Sequence, residues 1–237
     1  MISFKNLGEM GRLGNQLFQI SATIALALRN EDKYIFPTWP EENDFNLHNC
    51  FSSNIDNSNE YREKSFNYSP IEYQPNLDLV GFFQSEKYFQ DYKDIIMRTL
   101  TPRIGFGIRY NTTAVHVRRG DYLKFSDSHV NLDMSYYLEA MRTIDSKKYL
   151  IFSDDIAWCK ANFGGSNITF IENNPPAVDL AIMLGCEHNI IANSSFSWWG
   201  AYLNKNPSKI VIAPKNWFGP KLSHNTKDLL PEEWIKI

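Results

Sequence analysis

The sequence predicts an α/β fold with a doubly wound parallel sheet, and three observations carry that expectation. Short apolar runs alternate with helical stretches through the second half of the chain. Near the N-terminus a glycine-bearing turn, Gly8–Gln16, stands between a strand and a helix. Residues 101–112, with Pro102, Gly105 and Gly107, separate two parts of different texture. Strands that alternate with helices form parallel sheets covered on both faces.

In chain order, Ile2–Phe4 reads as a strand, and Asn15–Arg29 as a helix with Leu17, Ile20, Ile24 and Leu28 on one face. Tyr34–Phe36 is the next strand. Residues 37–75 are polar, rich in Asn, Ser and Glu, and lack periodicity, so loops are expected there. Leu77–Phe83 follows as a strand. Ser85 caps a helix that runs through Leu100, presents Tyr88, Tyr92, Ile95 and Thr99, and is ended by Pro102. The linker over 101–112 gives domains of 1–105 and 106–237, the second better defined. In that second domain strands are expected at Thr113–Val117, Tyr149–Phe152, Ile168–Ile171, Asn189–Ala192 and Lys209–Ala213. The helices between them run from Ser135 to Ile144, from Ile156 to Phe163, from the Pro175–Pro176 pair to Leu184 and from Ser195 to Leu203. Proline is accommodated in a first turn, where its missing N–H is not needed.

Composition narrows the function classes. The 237 residues allow one large domain or two small ones. Lys and Arg total 24 against 27 Asp and Glu, a net charge of −3, which argues against nucleic acid as the main partner. A chain 43% hydrophobic and 22% charged is not a disordered one. The most apolar stretch, Leu17–Leu28, is interrupted by Gln19, Ser21 and Thr23 and falls short of the about 20 apolar residues a membrane span needs. No basic region followed by an apolar run marks a secretory signal. Cys50, Cys159 and Cys186 are scattered, with no CxxC pair, so a reducing, cytoplasmic setting is expected.

Three strand-end motifs can carry chemistry. In Gly8–Gln16 the glycines permit positive φ and close approach of a ligand, and the helix beyond offers free N–H groups to an anion. Their spacing fits neither G-x-G-x-x-G nor a P-loop. A plain tight turn is the competing reading, and Arg12 and Asn15 favour the ligand. In His116-Val117-Arg118-Arg119-Gly120-Asp121-Tyr122, alternation puts His116 and Arg118 on one side of a strand's carboxyl end, where open α/β sheets bind ligands. An arginine there can clamp a phosphate bidentately, and Asp121 can orient the arginine, accept from a sugar hydroxyl or act as a base. The competing reading is an Arg–Asp surface ion pair. In Asn193–Gly200, Ser194 and Ser195 can cap a helix or hold a phosphate, while Trp198 and Trp199 read as core anchors. Asp154 and Asp155 follow another strand and can serve a metal, a ribose or a helix N-terminus. No D-x-D or Cys/His metal pattern accompanies these motifs, so no metal is expected.

GRLGNQLFQ (11–19), GFFQSEKYF (81–89), HVRRGDY (116–122), FSDD (152–155) and ANSSFSWWGAYL (192–203) occur in the order found in α-1,2-fucosyltransferases, family 11 of the glycosyltransferases, and the chain resembles that family over nearly its whole length. Protein O-fucosyltransferases are similar more distantly. The resemblance implies a GT-B-like fold of two Rossmann-like domains, with the donor GDP-L-fucose bound mainly by the C-terminal one. It implies inverting transfer of fucose to a galactose 2-hydroxyl on an oligosaccharide acceptor, with no cofactor and no metal. Arg118, with Arg119 beside it and His116 on the same strand end, matches the donor-phosphate arginine. Arg12 and Asn15 match the N-terminal turn that faces the donor. Ser194, Ser195 and Phe196 match the turn near the diphosphate and base, and Asp179 stands where relatives place an acid near the nucleotide. Asp121 is the first candidate for a general base and Glu86 the second. Two other classes stay open: a dinucleotide-dependent oxidoreductase, from the glycine turn, and a non-catalytic sugar-nucleotide or glycan-binding protein.

Overall fold

A computed structural model describes residues 1–105 and 107–237, so Phe106, where the second domain is expected to begin, lies outside the described residues. The chain forms two compact units. The first comprises Met1–Arg103 and His224–Pro231, the second Ile104–Ser223 and Glu232–Ile237. The sequence reading places 224–231 in the second domain, but this stretch packs with the first unit. His224 stacks on Phe66 with ring centroids 5.1 Å apart. Asp228 accepts from the Tyr68 backbone N–H at 3.1 Å and pairs with Lys87 at 2.6 Å.

The first unit holds a four-stranded parallel sheet ordered β2-β1-β4-β3, from β1 (Ile2–Ser3), β2 (Tyr34–Ile35), β3 (Asn59–Arg62) and β4 (Leu77–Val80). Helices α1 (Leu13–Arg29) and α2 (Lys93–Leu100) accompany it. β3 lies inside the stretch expected to be loops. Only Tyr61 of its four residues is buried, as at a sheet edge, so no apolar alternation announces it. Helix α1 is buried almost all round rather than on one stripe, and Leu28 is only half-buried. Its small polar residues tolerate this because they bond within the helix: Ser21 Oγ donates to Leu17 O at 2.7 Å and Thr23 Oγ1 to Gln19 O at 2.8 Å.

The helix expected over 85–100 is broken. Two 3₁₀ turns, Glu86–Tyr88 and Gln90–Tyr92, precede α2, and Ser85 caps only the first of them. Phe89 leaves the helical conformation (φ −141°, ψ 5°) and buries its ring against Phe18. That break shifts the phase of the following turn, so Ile96 and Leu100 are buried in place of Ile95 and Thr99.

The second unit holds a six-stranded parallel sheet ordered β10-β9-β8-β5-β6-β7. Its strands are β5 (Arg109–Val117), β6 (Lys148–Ser153), β7 (Ile168–Ile171), β8 (Cys186–Ile190), β9 (Val211–Ala213) and β10 (Ile235–Lys236). Between them lie α3 (Met134–Ile144), α4 (Ile156–Asn162), α5 (Pro176–Leu184) and α6 (Ser195–Tyr202). β5 begins inside the expected linker. Its polar start, Arg109–Thr112, pairs with β8 across a register shift, and Asn111 sits at φ 51°. β8 begins and ends before the expected Asn189–Ala192 because Glu187 and His188 join the ladder although polar. β10 has two exposed residues and no sequence signal. Helix α3 starts at Met134, capped by the Asp133 carboxylate, which accepts from Ser135 N at 2.9 Å and Tyr136 N at 3.3 Å.

Alternate residues of β5 feed two cores. Val115 and Val117 pack with Ile151, Ile190, Ile212 and the α3 residues Tyr137 and Ala140. Ala114 packs on the other face with Leu150, Phe152 and Met183. From β5 the chain winds outward through β6 and β7, then returns to wind the other way through β8, β9 and β10. The order reverses between β5 and β8, and in such sheets the crevice outside the carboxyl ends at that reversal is where ligands bind.

Candidate functional site

The reversal point of the second unit collects two of the three motifs. Strand β5 ends at Val117 and delivers the buried His116 and, just beyond, Arg118. Arg118 Nη1 lies 2.8 Å from Asp154 Oδ2, and Nη2 donates to Asp121 Oδ1. The guanidinium carbon stands 5.2 Å from the centre of the Tyr122 ring. The expected Arg118–Asp121 pair therefore exists, but the arginine side chain is only 14% exposed and carries a second carboxylate, so this is not a solvated surface pair. Arg119 is committed differently. Its Nε reaches Asp155 Oδ2 at 3.3 Å, its plane lies 4.0 Å over the Trp158 ring, and Asp155 caps α4 through Trp158 N.

Asp154 is the hub. Oδ1 accepts from the Arg119 backbone N–H at 2.9 Å while Oδ2 holds Arg118. Gly120 makes room for it, since a Cβ there would lie 2.5 Å from Asp154 Oδ2. Of the roles open to the FSDD carboxylates, Asp155 takes the helix N-terminus and Asp154 takes the arginine. The motif gave no sign of the latter, because the contact spans 36 positions.

His116 is buried, and its Nδ1 has no hydrogen-bond partner among the described residues. Burial first, and Arg118 second, lower its pKa to about 4, so the imidazole is neutral at physiological pH. Its ring lies 5.7 Å from Phe196, and Tyr122 Oη donates to Asn193 O at 2.9 Å, which joins the HVRRGDY strand end to the NSSF turn. Ser194 occupies the N-cap of α6 in extended conformation, yet its hydroxyl makes no capping bond, and no acid stands in the first turn. Ser195 opens the helix, and Trp198 and Trp199 are fully buried. An orphaned buried nitrogen, an inward arginine and a helix N-terminus whose N-cap serine makes no capping bond together suit an anionic ligand. Asp179 lies apart, half-buried in the first turn of α5. It accepts from Asn174 Nδ2 at 3.0 Å, its pKa is raised by burial, and no ion pair among the described residues joins it to Arg118 or Arg119.

The first unit has its own assembly at strand carboxyl ends. Gly8 (φ 91°) and Gly11 (φ 79°) turn the chain after β1, and a Cβ on Gly11 would lie 2.3 Å from Asn15 Nδ2. Arg12 is exposed at the N-cap of α1, with no acid in the first turn, and the helix starts two residues before Asn15. Asn15 Oδ1 accepts from Gln84 Nε2 at 2.8 Å, and Gln19 Nε2 donates to Met10 O at 3.1 Å and Gly81 O at 3.2 Å. The GRLGNQ and GFFQSE motifs are thus one structure, built on neighbouring strands β1 and β4. Glu86 follows in the first 3₁₀ turn, half-buried. Glu63, just past β3, carries no signal in the sequence: it lies in the polar stretch, and its carboxylate accepts from Phe82 N at 2.7 Å and Phe83 N at 3.0 Å. Only the fold, by pairing β3 with β4, reveals that contact.

Among the described residues no group of three His, Cys, Asp or Glu side chains could hold a metal, and no helix is long and apolar enough to cross a membrane.

Comparison with known proteins adds to this geometry. The family described as Glycosyl transferase family 11 matches residues 5–237. An alpha-1,2-colitosyltransferase of Escherichia coli is 36% identical over 183 residues, covering 68% of this chain and 63% of the relative. The galactoside 2-alpha-L-fucosyltransferase SEC1 of Bos taurus is 26% identical over 237 residues, covering 83% of this chain and 63% of the relative. The chain thus spans less than two thirds of the length of both. A crystal structure of apo POFUT1 superposes with a TM-score of 0.51 at 12% identity, covering 90% of this chain and 97% of that one. With two parallel-stranded α/β units, the fold is GT-B-like.

Proposed function

Because the chain belongs to glycosyl transferase family 11, we propose that it transfers L-fucose from GDP-L-fucose to a galactose-terminated glycan, at the galactose 2-hydroxyl and with inversion. The observation that carries this reading is Arg118, held inward at the reversal of a dinucleotide-type sheet on the strand end that Tyr122 ties to the turn opening α6. Diphosphate oxygens replace Asp121 on the guanidinium. Asp121 is the more exposed of the two carboxylates, at 38% against 25%, and Asp154 is also anchored by the Arg119 N–H. As the bond from fucose to GDP breaks, negative charge grows on the diphosphate, and Arg118 and the first-turn N–H groups of α6 stabilise it. Neutral His116 offers its Nδ1 to the donor. In this scheme Asp121 is the counter-ion that the donor displaces; the acceptor hydroxyl bonds the fucose carbon as the bond to GDP breaks and its proton passes to water, so stabilising the leaving group replaces the need for a strong base.

The names of the relatives support a fucose-like donor and a galactoside acceptor. The colitosyltransferase also favours a second reading of the donor sugar, since colitose is fucose without its 3-hydroxyl. The reading is tested by GDP release from GDP-fucose and GDP-colitose against a panel of galactose-terminated acceptors, with product linkage assigned by NMR. Acceptor-dependent release and an α-1,2 linkage are expected. Binding of GDP-fucose without release would make the chain a non-catalytic sugar-nucleotide protein, and quenching of NAD(P)H fluorescence would point to the oxidoreductase.

Two further outcomes are expected. Turnover persists in excess EDTA, because Asp154 and Asp155 are engaged by Arg118 and Arg119 and the diphosphate charge is met by arginine. Activity lost in EDTA and restored by Mn²⁺ or Mg²⁺ would reassign those carboxylates to a metal. Gly120→Ala drives a methyl group into the Asp154 carboxylate and turns Arg118 off its aim. GDP affinity measured by calorimetry should fall about tenfold, or ~1.4 kcal/mol, and an unchanged Kd would show that Asp154 does not set the arginine.

A further inference from the structure

We propose that Glu63 is a positioning residue for Asn15: its carboxylate fixes the turn after β4, and that turn presents Gln84 to the Asn15 side chain. This rests on the functional reading only in what Asn15 is positioned for.

Each link is a short bond. Glu63 Oε2 accepts from Phe82 N at 2.7 Å and Oε1 from Phe83 N at 3.0 Å. Those two N–H groups face the glutamate instead of a strand partner, which is why β4 stops at Val80, before the expected Phe83. Gly81 accommodates the contact, since a Cβ there would lie 2.4 Å from Glu63 Cβ and 2.8 Å from Oε2. Phe83 is held at φ 52°, a conformation a bulky residue rarely adopts without support. Its ring is fully buried and fixes the exit direction of the chain. The next residue, Gln84, donates to Asn15 Oδ1 at 2.8 Å, and Gly11, with no Cβ, leaves room for that side chain beside it.

The same carboxylate titrates in the working range. Burial raises its pKa from the ordinary 4.5 to about 7, against the two N–H bonds, which lower it. The titratable groups that feel its charge are Tyr61 on β3 and Tyr88 in the first 3₁₀ turn, and Lys64 lies 5.9 Å over the Tyr61 ring. Because the folded pKa is raised, the protonated form is the more stable one in the fold, an advantage lost as pH rises through about 7. The ionised form, which makes both bonds, is thus held against stability, as at functional sites. Acidification through about 7 removes one acceptor and loosens the turn.

The test is a pH titration followed by NMR, reading the Phe82 and Phe83 amides and the Asn15 side-chain amide in the wild-type chain and in Glu63→Gln. All three signals should move together in wild type with one midpoint near 7, and none should move in the variant. Backbone amides that titrate while the Asn15 amide stays still would overturn the proposal, as would a flat wild-type titration, which needs no variant to fold. In parallel, wild-type kcat for GDP release should fall about tenfold per pH unit below the midpoint with KM for the donor unchanged, while Glu63→Gln stays low and flat across that range. A variant that keeps the wild-type profile would contradict the coupling. A wild-type chain inactive on GDP-fucose would defeat the functional reading alone, because the NMR titration decides the coupling without turnover.

Discussion

If the proposed transfer holds, Arg118→Lys should lower turnover of GDP-fucose by about two orders of magnitude or more. Lysine keeps the charge but loses the planar fork that lets one side chain hold two anionic oxygens. Each charge-assisted hydrogen bond is worth about 1.5–3 kcal/mol, so losing one or two of them spans the expected range. The site also explains why lysine cannot compensate. Two carboxylates, Asp121 and Asp154, take separate nitrogens of Arg118, and the Tyr122 ring lies beside its plane. A single ammonium still has donors for Asp154, but it cannot present two parallel N–H groups to the diphosphate. Steady-state kinetics with a galactose-terminated acceptor check this, and near-normal kcat/KM in Arg118→Lys would remove the arginine from the mechanism.

Asn15→Ala separates transfer from nucleotide binding. Asn15 belongs to the first unit and Arg118 to the second. Transfer should fall about a hundredfold, the scale for losing one preorganised polar group that acts on the transition state. GDP affinity, which the proposed function assigns to Arg118 and the Ser194–Phe196 turn, should stay within a few fold. Calorimetry and kinetics on the same preparation decide it. GDP binding abolished by the substitution would put Asn15 in the nucleotide pocket itself, and unchanged transfer would reduce the GRLGNQ turn to the start of a helix. The fold should survive in either case, since Asn15 is only half-buried and α1 is anchored by Leu17, Phe18 and Ile20.

How much of this was legible in the sequence depends on range. The second unit was readable because its strands are apolar and its helices carry their own signals, such as Pro176 in the first turn of α5. The first was less so, because β3 carries one buried residue and the stretch before α2 breaks at Phe89. At the site, motifs located the residues but not their partners. HVRRGD names Arg118, yet the carboxylate that aims it comes from the next strand, and Gly120 is intelligible only once Asp154 is seen beside it. In the same way Gln84 and Asn15 lie 69 positions apart, and Glu63 reaches its turn across paired strands, in a stretch whose composition suggests only loop. Local chemistry is written in short strings, whereas second partners are set by strand order.

A crystal structure of the chain with GDP tests the central claim most directly. The diphosphate should lie on Arg118, with Asp121 displaced, Asp154 still bonded to the Arg119 N–H, and a phosphate oxygen at the first turn of α6. A nucleotide seated instead on the Gly8–Gly14 turn, with the Arg118–Asp121 pair intact, would contradict the account.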